Sequence, residues 1–197
     1  TEGQRYLDGV GSLWCNLFGH RRAEIDAAIR EQLGRIAHST LLGHSAVPAV
    51  RLARRLATLA PAGLTRVFFS DDGSTAVEVA LKMALQFWQQ HADGRERQRD
   101  RFVTLGLAYH GDTVGAVSLG GIDLFHERYR PLLFETVQTP SPYCYRCPLG
   151  LERATCALAC IGELERLTRR YTEEAVRFIG ERAPPTTLGS THRTWAR

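Results

Sequence analysis

The chain has 197 residues, of which 44% are hydrophobic, so it is long enough to bury the core of one domain or of a domain with an appendage. No stretch approaches the roughly 18 consecutive apolar residues of a membrane-spanning helix, and the N-terminal region lacks the pattern of a secretory signal, which predicts a cytoplasmic protein. The chain begins at Thr1 and not at methionine, which suggests that a native start precedes it.

The net charge is +4, and every basic residue except Lys82 is an arginine. Arginine grips phosphate with two hydrogen bonds, so one interpretation is a surface for nucleic acid. The arginines are interspersed with acidic residues, as in Arg30-Glu31 and in residues 163–170, and do not form one basic stripe. This spread favours solvated helix faces, and we expect no nucleic-acid surface.

Periodicity and turn residues predict the secondary structure in chain order. We expect helices over residues 22–37, 74–91, 123–130 and 156–179, a loop around Gly43, and strands at 66–69 and 102–105. A strand, a helix and a second strand in succession imply a right-handed crossover with parallel strands, which predicts the α/β class. Residues 181–197 contain Pro184-Pro185 and a polar run, so we expect them to be disordered.

The turn from Ser70 to Thr75 lies where the first predicted strand ends and a helix begins. The first N–H groups of a helix have no intrahelical partner, and the helix dipole is positive there, so this end can accept phosphate oxygens. Gly73 allows close approach, and the hydroxyls of Ser74 and Thr75 add donors. The alternative is an ordinary helix cap formed by Asp72 or Ser74.

A second polar turn, Tyr109-His110-Gly111-Asp112-Thr113, follows the strand at 102–105. Ligands collect at the carboxyl ends of parallel strands, so we expect the two turns to meet at one edge of the sheet. Tyr109 has a flat ring that could stack on a heteroaromatic cofactor, and His110 could form a hydrogen bond or titrate.

The segment 70–88 and the turn 109–113 together resemble the class III aminotransferases, which belong to the fold type I enzymes that depend on pyridoxal phosphate. The likeness covers residues 5 to about 170 and is strongest to the members that serve biotin biosynthesis. It implies transfer of an amino group from S-adenosylmethionine to 8-amino-7-oxononanoate. It also implies that Gly73 and Ser74 bind the cofactor phosphate, that Tyr109 and His110 lie beside the cofactor, and that Trp14 and Tyr109 contact the substrate. Trp14 as a core anchor is the alternative.

The same resemblance implies a domain organisation. Residues 1–50 would be an N-terminal segment of the small domain, 51–180 the first part of a truncated large domain that binds the cofactor, and 181–197 a tail foreign to the family. Members of the family are homodimers that act on small molecules.

The lysine that such an enzyme links to its cofactor is expected beyond this chain. Lys82 is the only lysine present, and it lies about 12 Å along the helix axis from Ser74. We therefore expect a fragment, truncated or frame-shifted, without catalytic activity of its own.

Four cysteines, Cys144, Cys147, Cys156 and Cys160, lie close together, while Cys15 stands alone. The spacing of the first pair is typical of zinc and iron–sulfur sites, and the second pair would share one face if a helix began at Cys156. The alternative is four reduced thiols in an inserted segment.

Two further interpretations stay open. One keeps the class but changes the substrate to that of an ω-amino-acid or ornithine-type aminotransferase. The other is a small non-enzymatic domain that binds metal through its cysteines and nucleic acid through its arginines.

Overall fold

A computed structural model describes residues 3–91 and 97–182, with side chains described as far as residue 171. Contacts divide the chain into two compact units, Thr1–Phe68 and Phe69–Arg197. The predicted domain boundary after residue 50 concerns the domains of a whole enzyme, so it stays a prediction.

The first unit contains a one-turn segment and two longer helices: α1 (Gly11–Trp14), α2 (Ala23–Arg35) and α3 (Val47–Leu59). Helix α2 confirms the helix predicted over 22–37. Helix α3 was not predicted, although Pro48 in its first turn is a recognised start for a helix.

The turn α1 is left-handed. Gly11, Ser12, Leu13 and Trp14 have φ angles of 55°, 50°, 55° and 71°. The left-handed conformation brings Cβ close to the following carbonyl oxygen, which costs about 1–2 kcal/mol for each residue other than glycine. Three such residues in succession require interactions that hold the backbone in place.

The second unit begins with the helix that was predicted over 74–91, observed as α4 (Gly73–Gln90). Asp72 is its N-cap: the backbone N–H of Thr75 donates to Asp72 Oδ1 at 2.8 Å, and the N–H of Asp72 donates to Thr75 Oγ1 at 3.0 Å. The reciprocal pair satisfies two backbone donors and fixes where α4 starts.

A small parallel sheet follows. Strand β1 (Val103–Leu105) pairs with β2 (Val137–Thr139), with Val103 opposite Val137. The crossover contains α5 (Val114–Ser118), α6 (Asp123–His126) and a 3₁₀ segment, Glu127–Leu132.

The parallel arrangement confirms the predicted class, but two details of the prediction were wrong. The helix predicted over 123–130 is a short α-helix followed by the 3₁₀ segment. Residues 66–69 do not form a strand, because no neighbouring segment in the described part of the chain pairs with them. The strand β2 was not predicted.

Ala116, Val117 and Leu167 form the buried apolar core among the described side chains. Helix α7 (Ala159–Arg182), which supplies Leu167, packs on β2. It starts three residues later than predicted and includes Glu181 and Arg182, where the predicted tail begins. The rest of that tail, 183–197, lies outside the described residues.

Among the helices that the structure describes, none has the length and hydropathy needed to cross a membrane.

Candidate functional site

The N-terminus of α4 leaves two backbone N–H groups available. The cap engages the N–H of Thr75 with the Asp72 carboxylate, and the N–H of Ala76 donates to the Asp72 carbonyl. The amides of Gly73 and Ser74 therefore have no acceptor within the helix. The Thr75 hydroxyl donates to the Asp72 carbonyl and is also bonded to Ser70, and its role as a phosphate donor stays a prediction.

The two polar turns of the second unit meet at Ser74. The backbone N–H of Asp112 donates to Ser74 Oγ at 3.1 Å, across 38 positions of sequence. Gly111 is buried and has a φ of +122°, and a Cβ on it would lie 1.9 Å from Ser74 Oγ. Glycine is therefore required at position 111 by both its conformation and its contact.

One turn further along α4, Glu78 forms a second attachment. Its Oε1 accepts a hydrogen bond from the N–H of Gly115 at 2.7 Å, and a Cβ on Gly115 would lie 2.4 Å from Oε2. The nearby Thr113 hydroxyl and the N–H groups of Gly115 and Ala116 lower the pKa of this carboxyl against the opposing effect of burial. Of these groups, the Gly115 N–H forms a hydrogen bond with good geometry, whereas the Thr113 hydroxyl has no partner within hydrogen-bond geometry among the described residues. Ser74 and Glu78 together fasten the turn 109–113 and α5 to α4.

Tyr109 is held by its own turn. Its hydroxyl donates to Asp112 Oδ2 at 2.8 Å, and this hydrogen bond to a carboxylate raises the pKa of the phenol. Tyr109 is 47% exposed, so it is accessible from solvent. His110 beside it is exposed as well. A chain of hydrogen bonds thus runs from Tyr109 through Asp112 to Ser74.

The charged side chains around the two amides are mostly acidic. Asp71 and Asp72 precede the free amides and Asp112 lies beside Ser74, while Lys82 is exposed two turns along α4. The helix dipole and the two amides are the local groups that favour an anion. One oxygen of the Asp72 carboxylate is engaged by the cap hydrogen bond from the Thr75 N–H.

Trp14 belongs to the first unit and lies in the left-handed turn, with its side chain 72% exposed. It is not the core anchor of that unit. Its predicted contact with substrate stays a prediction.

The predicted metal site at the four cysteines is not formed. Among the described residues, no three Cys, His, Asp or Glu side chains converge on a point that could hold a metal ion, and all four cysteines are free thiols. The reason is local: α7 begins at Ala159, and Ala157 and Leu158 have positive φ angles. Cys156 and Cys160 therefore do not share one face of a helix.

Two residues with clear structural roles received no role from the sequence: Glu78 as the acceptor for α5 and Asp112 as the link between Tyr109 and Ser74. The spacing of Ser74 and Glu78 in the sequence could have indicated part of the role of Glu78. Ser74 and Glu78 are four positions apart, so they lie on one face of α4 and can hold the same partner segment.

Comparisons with known proteins identify the family to which this chain belongs. The family profile described as aminotransferase class-III matches residues 1–183. Proteins named adenosylmethionine-8-amino-7-oxononanoate aminotransferase are 57% identical in Nitratidesulfovibrio vulgaris and 53% identical in Geobacter sulfurreducens. Each alignment covers 92% of this chain but only 33% and 40% of those relatives, so the chain spans well under half of their length.

Solved structures show the same relationship. The crystal structure of the Methanocaldococcus jannaschii adenosylmethionine-8-amino-7-oxononanoate aminotransferase matches with a TM-score of 0.76 and 43% identity, over 88% of this chain and 36% of that one. An (S)-enantioselective omega-transaminase from Thermomicrobium roseum matches with a TM-score of 0.77 and 34% identity, over 88% and 38%. The helices and parallel strands are thus part of a fold type I transferase domain, and the chain belongs to the class III aminotransferase family.

Proposed function

We propose that this chain forms the part of a pyridoxal-phosphate site that holds the phosphate and covers the ring. The whole enzyme would transfer an amino group from S-adenosylmethionine to 8-amino-7-oxononanoate, as the names of the relatives state for those proteins. One observation carries the proposal: the free amides of Gly73 and Ser74 lie beside a Ser74 hydroxyl that the Asp112 N–H orients.

The hydroxyl of Ser74 fits a phosphate oxygen. A serine hydroxyl has one proton to donate and two lone pairs to accept. The N–H of Asp112 occupies one lone pair, so the proton stays available for a phosphate oxygen. Together with the two amides, this gives three donors at the positive end of an 18-residue helix.

Tyr109 fits a role beside the cofactor ring. Its hydroxyl is bonded to Asp112, which limits rotation of the phenol, and the residue is exposed, so its ring would be able to stack on a flat ring. The raised pKa keeps the phenol protonated, so its hydroxyl stays a donor. His110 follows directly and would border the same space.

Pyridoxal phosphate, when bound, supplies an electron sink for proton transfer at carbon. Lys82 lies about 12 Å along the helix axis from Ser74, which is too far to link to a cofactor seated at the turn. The lysine that carries the reaction would therefore come from a part of the whole enzyme outside this chain.

We also propose that Trp14 contacts the substrate and that the whole enzyme is a cytoplasmic homodimer. Exposed apolar side chains of both units support further assembly, among them Leu17, Phe18, Phe68 and Phe87. Light scattering on the whole enzyme tests the homodimer, and cell fractionation tests the cytoplasmic location.

A segment exchange tests the proposed reaction. The matching part of the Geobacter sulfurreducens relative, 53% identical over 182 residues, would be replaced by this chain's residues. We expect the exchanged enzyme to transfer an amino group from S-adenosylmethionine to 8-amino-7-oxononanoate. Trp14→Ala should raise KM for 8-amino-7-oxononanoate, whereas Tyr6→Ala, an exposed aromatic control in the same unit, should leave it unchanged.

Two results would contradict the proposal at different points. An exchanged enzyme that binds pyridoxal phosphate but uses only ω-amino acids would contradict the proposed substrates. An exchanged enzyme that folds but no longer binds pyridoxal phosphate would overturn the site itself.

A further inference from the structure

The left-handed turn Gly11–Trp14 is held by a single carboxylate. Asp8 lies just before the turn, and its Oδ2 accepts a hydrogen bond from the backbone N–H of Ser12 at 2.8 Å. Two backbone hydrogen bonds continue the turn: Trp14 N–H donates to Val10 O at 2.8 Å, and Asn16 N–H donates to Gly11 O at 2.9 Å. Asp8 is the side chain that fixes the turn at its first strained residue.

His20 holds the carboxylate in place. Its Nε2 lies 2.9 Å from Asp8 Oδ2, and its Nδ1 lies 3.1 Å from Nδ2 of Asn16. In the neutral tautomer with the proton on Nε2, the ring donates to Asp8 and accepts from Asn16, so both ring nitrogens are satisfied. The network thus joins the residue before the turn to the segment after it.

The backbone of this turn determines the direction from which the Trp14 side chain projects. Trp14 is 72% exposed, and within the described residues its ring takes part in no aromatic or cation–π contact. The direction in which the Trp14 Cα–Cβ bond leaves the backbone is set by the left-handed φ of 71° at Trp14 and by the two strained residues before it. Non-glycine residues occupy this conformation only where their surroundings enforce it, and such sites cluster where a side chain has to be presented.

We propose that Asp8 and His20 are positioning residues that hold the turn 11–14 in its left-handed form and thereby preset the Trp14 indole for substrate. The functional half of this inference rests on the proposed contact between Trp14 and substrate. The conformational half stands on the hydrogen bonds and backbone angles of this unit.

The test needs no ligand and uses the intact chain. Protein labelled with 5-fluorotryptophan gives fluorine resonances for its three tryptophans, and the resonance of Trp14 is assigned by its loss in Trp14→Phe. We expect Asp8→Ala to move and broaden the Trp14 resonance, and His20→Ala to move it in the same direction. Asp26→Ala is the matched control, because it removes another carboxylate of the same unit, whose contact with Arg30 is at 3.8 Å.

Glycine substitution separates positioning from general destabilisation. Glycine enters the left-handed region without steric cost. In the Asp8→Ala background, Ser12→Gly with Leu13→Gly should therefore return the Trp14 resonance towards its native position. The proposal would be overturned if Asp8→Ala and His20→Ala moved the Trp14 resonance no more than Asp26→Ala does. It would also be overturned if the glycine pair did not return the Trp14 resonance towards its native position.

A substitution that unfolds the unit would also be visible, because circular dichroism would show the loss of α2 and α3. Asp8→Asn, which keeps an acceptor oxygen, then carries the test, with a smaller displacement expected in the same direction. These results do not depend on substrate. If Trp14 does not contact substrate, the KM arm of the segment exchange fails while the fluorine result is unchanged.

Discussion

Gly111 and Ser74 approach so closely that a Cβ on Gly111 would lie 2.9 Å from the Ser74 Cα and 1.9 Å from its Oγ. Rotation of the serine side chain relieves the contact with Oγ but not the contact with Cα. The junction between the two turns of the candidate site therefore requires glycine at position 111.

Replacement of Gly111 should break this junction. Gly111→Ala adds strain at a φ of +122° and a clash with Ser74, and we expect a loss of about 2–4 kcal/mol of unfolding free energy, measured by urea denaturation. Gly150→Ala is the matched control, because its φ is +66° and nothing lies within 4 Å of its Cβ. It should cost about 1 kcal/mol. Equal losses for both variants would show that the contact with Ser74 contributes nothing.

Glu78 should be required for the attachment of α5. Glu78→Ala leaves the buried N–H of Gly115 without its acceptor, which should lower stability by about 1–3 kcal/mol. Hydrogen exchange should show faster exchange of the Gly115 amide in this variant. Glu152→Ala removes an exposed glutamate of the same unit and should leave that amide unchanged. Unchanged exchange at Gly115 in Glu78→Ala would count against the attachment.

The same carboxylate should make stability depend on pH. The pKa of Glu78 is lowered in the folded protein by the Thr113 hydroxyl and by the N–H groups of Gly115 and Ala116. Its contribution is therefore fully present above the ordinary glutamate pKa of about 4.3 and is lost as the pH falls through the lower folded value. Glu78→Gln should flatten this acid-side loss in urea denaturation at a series of pH values. A variant that loses stability on acidification as steeply as the native chain would contradict this assignment.

Tyr109 should ionise at a higher pH than an ordinary tyrosine, since its hydroxyl donates to the Asp112 carboxylate and its pKa is raised. In an ultraviolet titration, Tyr109→Phe should remove the component that ionises last. Asp112→Asn should move that component towards lower pH. If Asp112→Asn leaves the titration unchanged, the hydrogen bond between the two side chains does not form in solution.

Lys82 should not become linked to pyridoxal phosphate specifically. It is exposed and lies about 12 Å along α4 from Ser74. The chain would be treated with pyridoxal phosphate and borohydride, and its peptides analysed by mass spectrometry. We expect no adduct at Lys82 whose formation free phosphate prevents. A stoichiometric adduct there, absent in Ser74→Ala, would mean that the helix geometry described above is wrong.

Local patterns were sufficient for some elements. Helix α4 was predicted to within one residue at each end, because its apolar face repeats with the helical period and Asp72 is a strong cap. The turn 109–113 was recognised from its residues and from their resemblance to one family.

Features that depend on residues far apart in the sequence could not be predicted from it. Phe68 and Phe69 are typical strand residues, but a strand also requires a neighbour, and none pairs with residues 66–69 in the described part of the chain. The hydrogen bond from Asp112 to Ser74 joins residues 38 positions apart. The left-handed turn at Ser12 and Leu13 could not be predicted either. It depends on the Asp8 carboxylate and on His20, which lies twelve positions after Asp8.

Binding of pyridoxine 5′-phosphate to the intact chain tests the central claim most directly, since this ligand has the ring and the phosphate but no aldehyde to react with amines. We expect saturable binding that pyridoxine without phosphate does not show, and a Kd about tenfold or more higher in Ser74→Ala, from the loss of one hydrogen bond to a charged group. Ser39→Ala, an exposed serine of the first unit, should leave Kd unchanged. Equal affinity for pyridoxine and its phosphate, or an unchanged Kd in Ser74→Ala, would contradict the account.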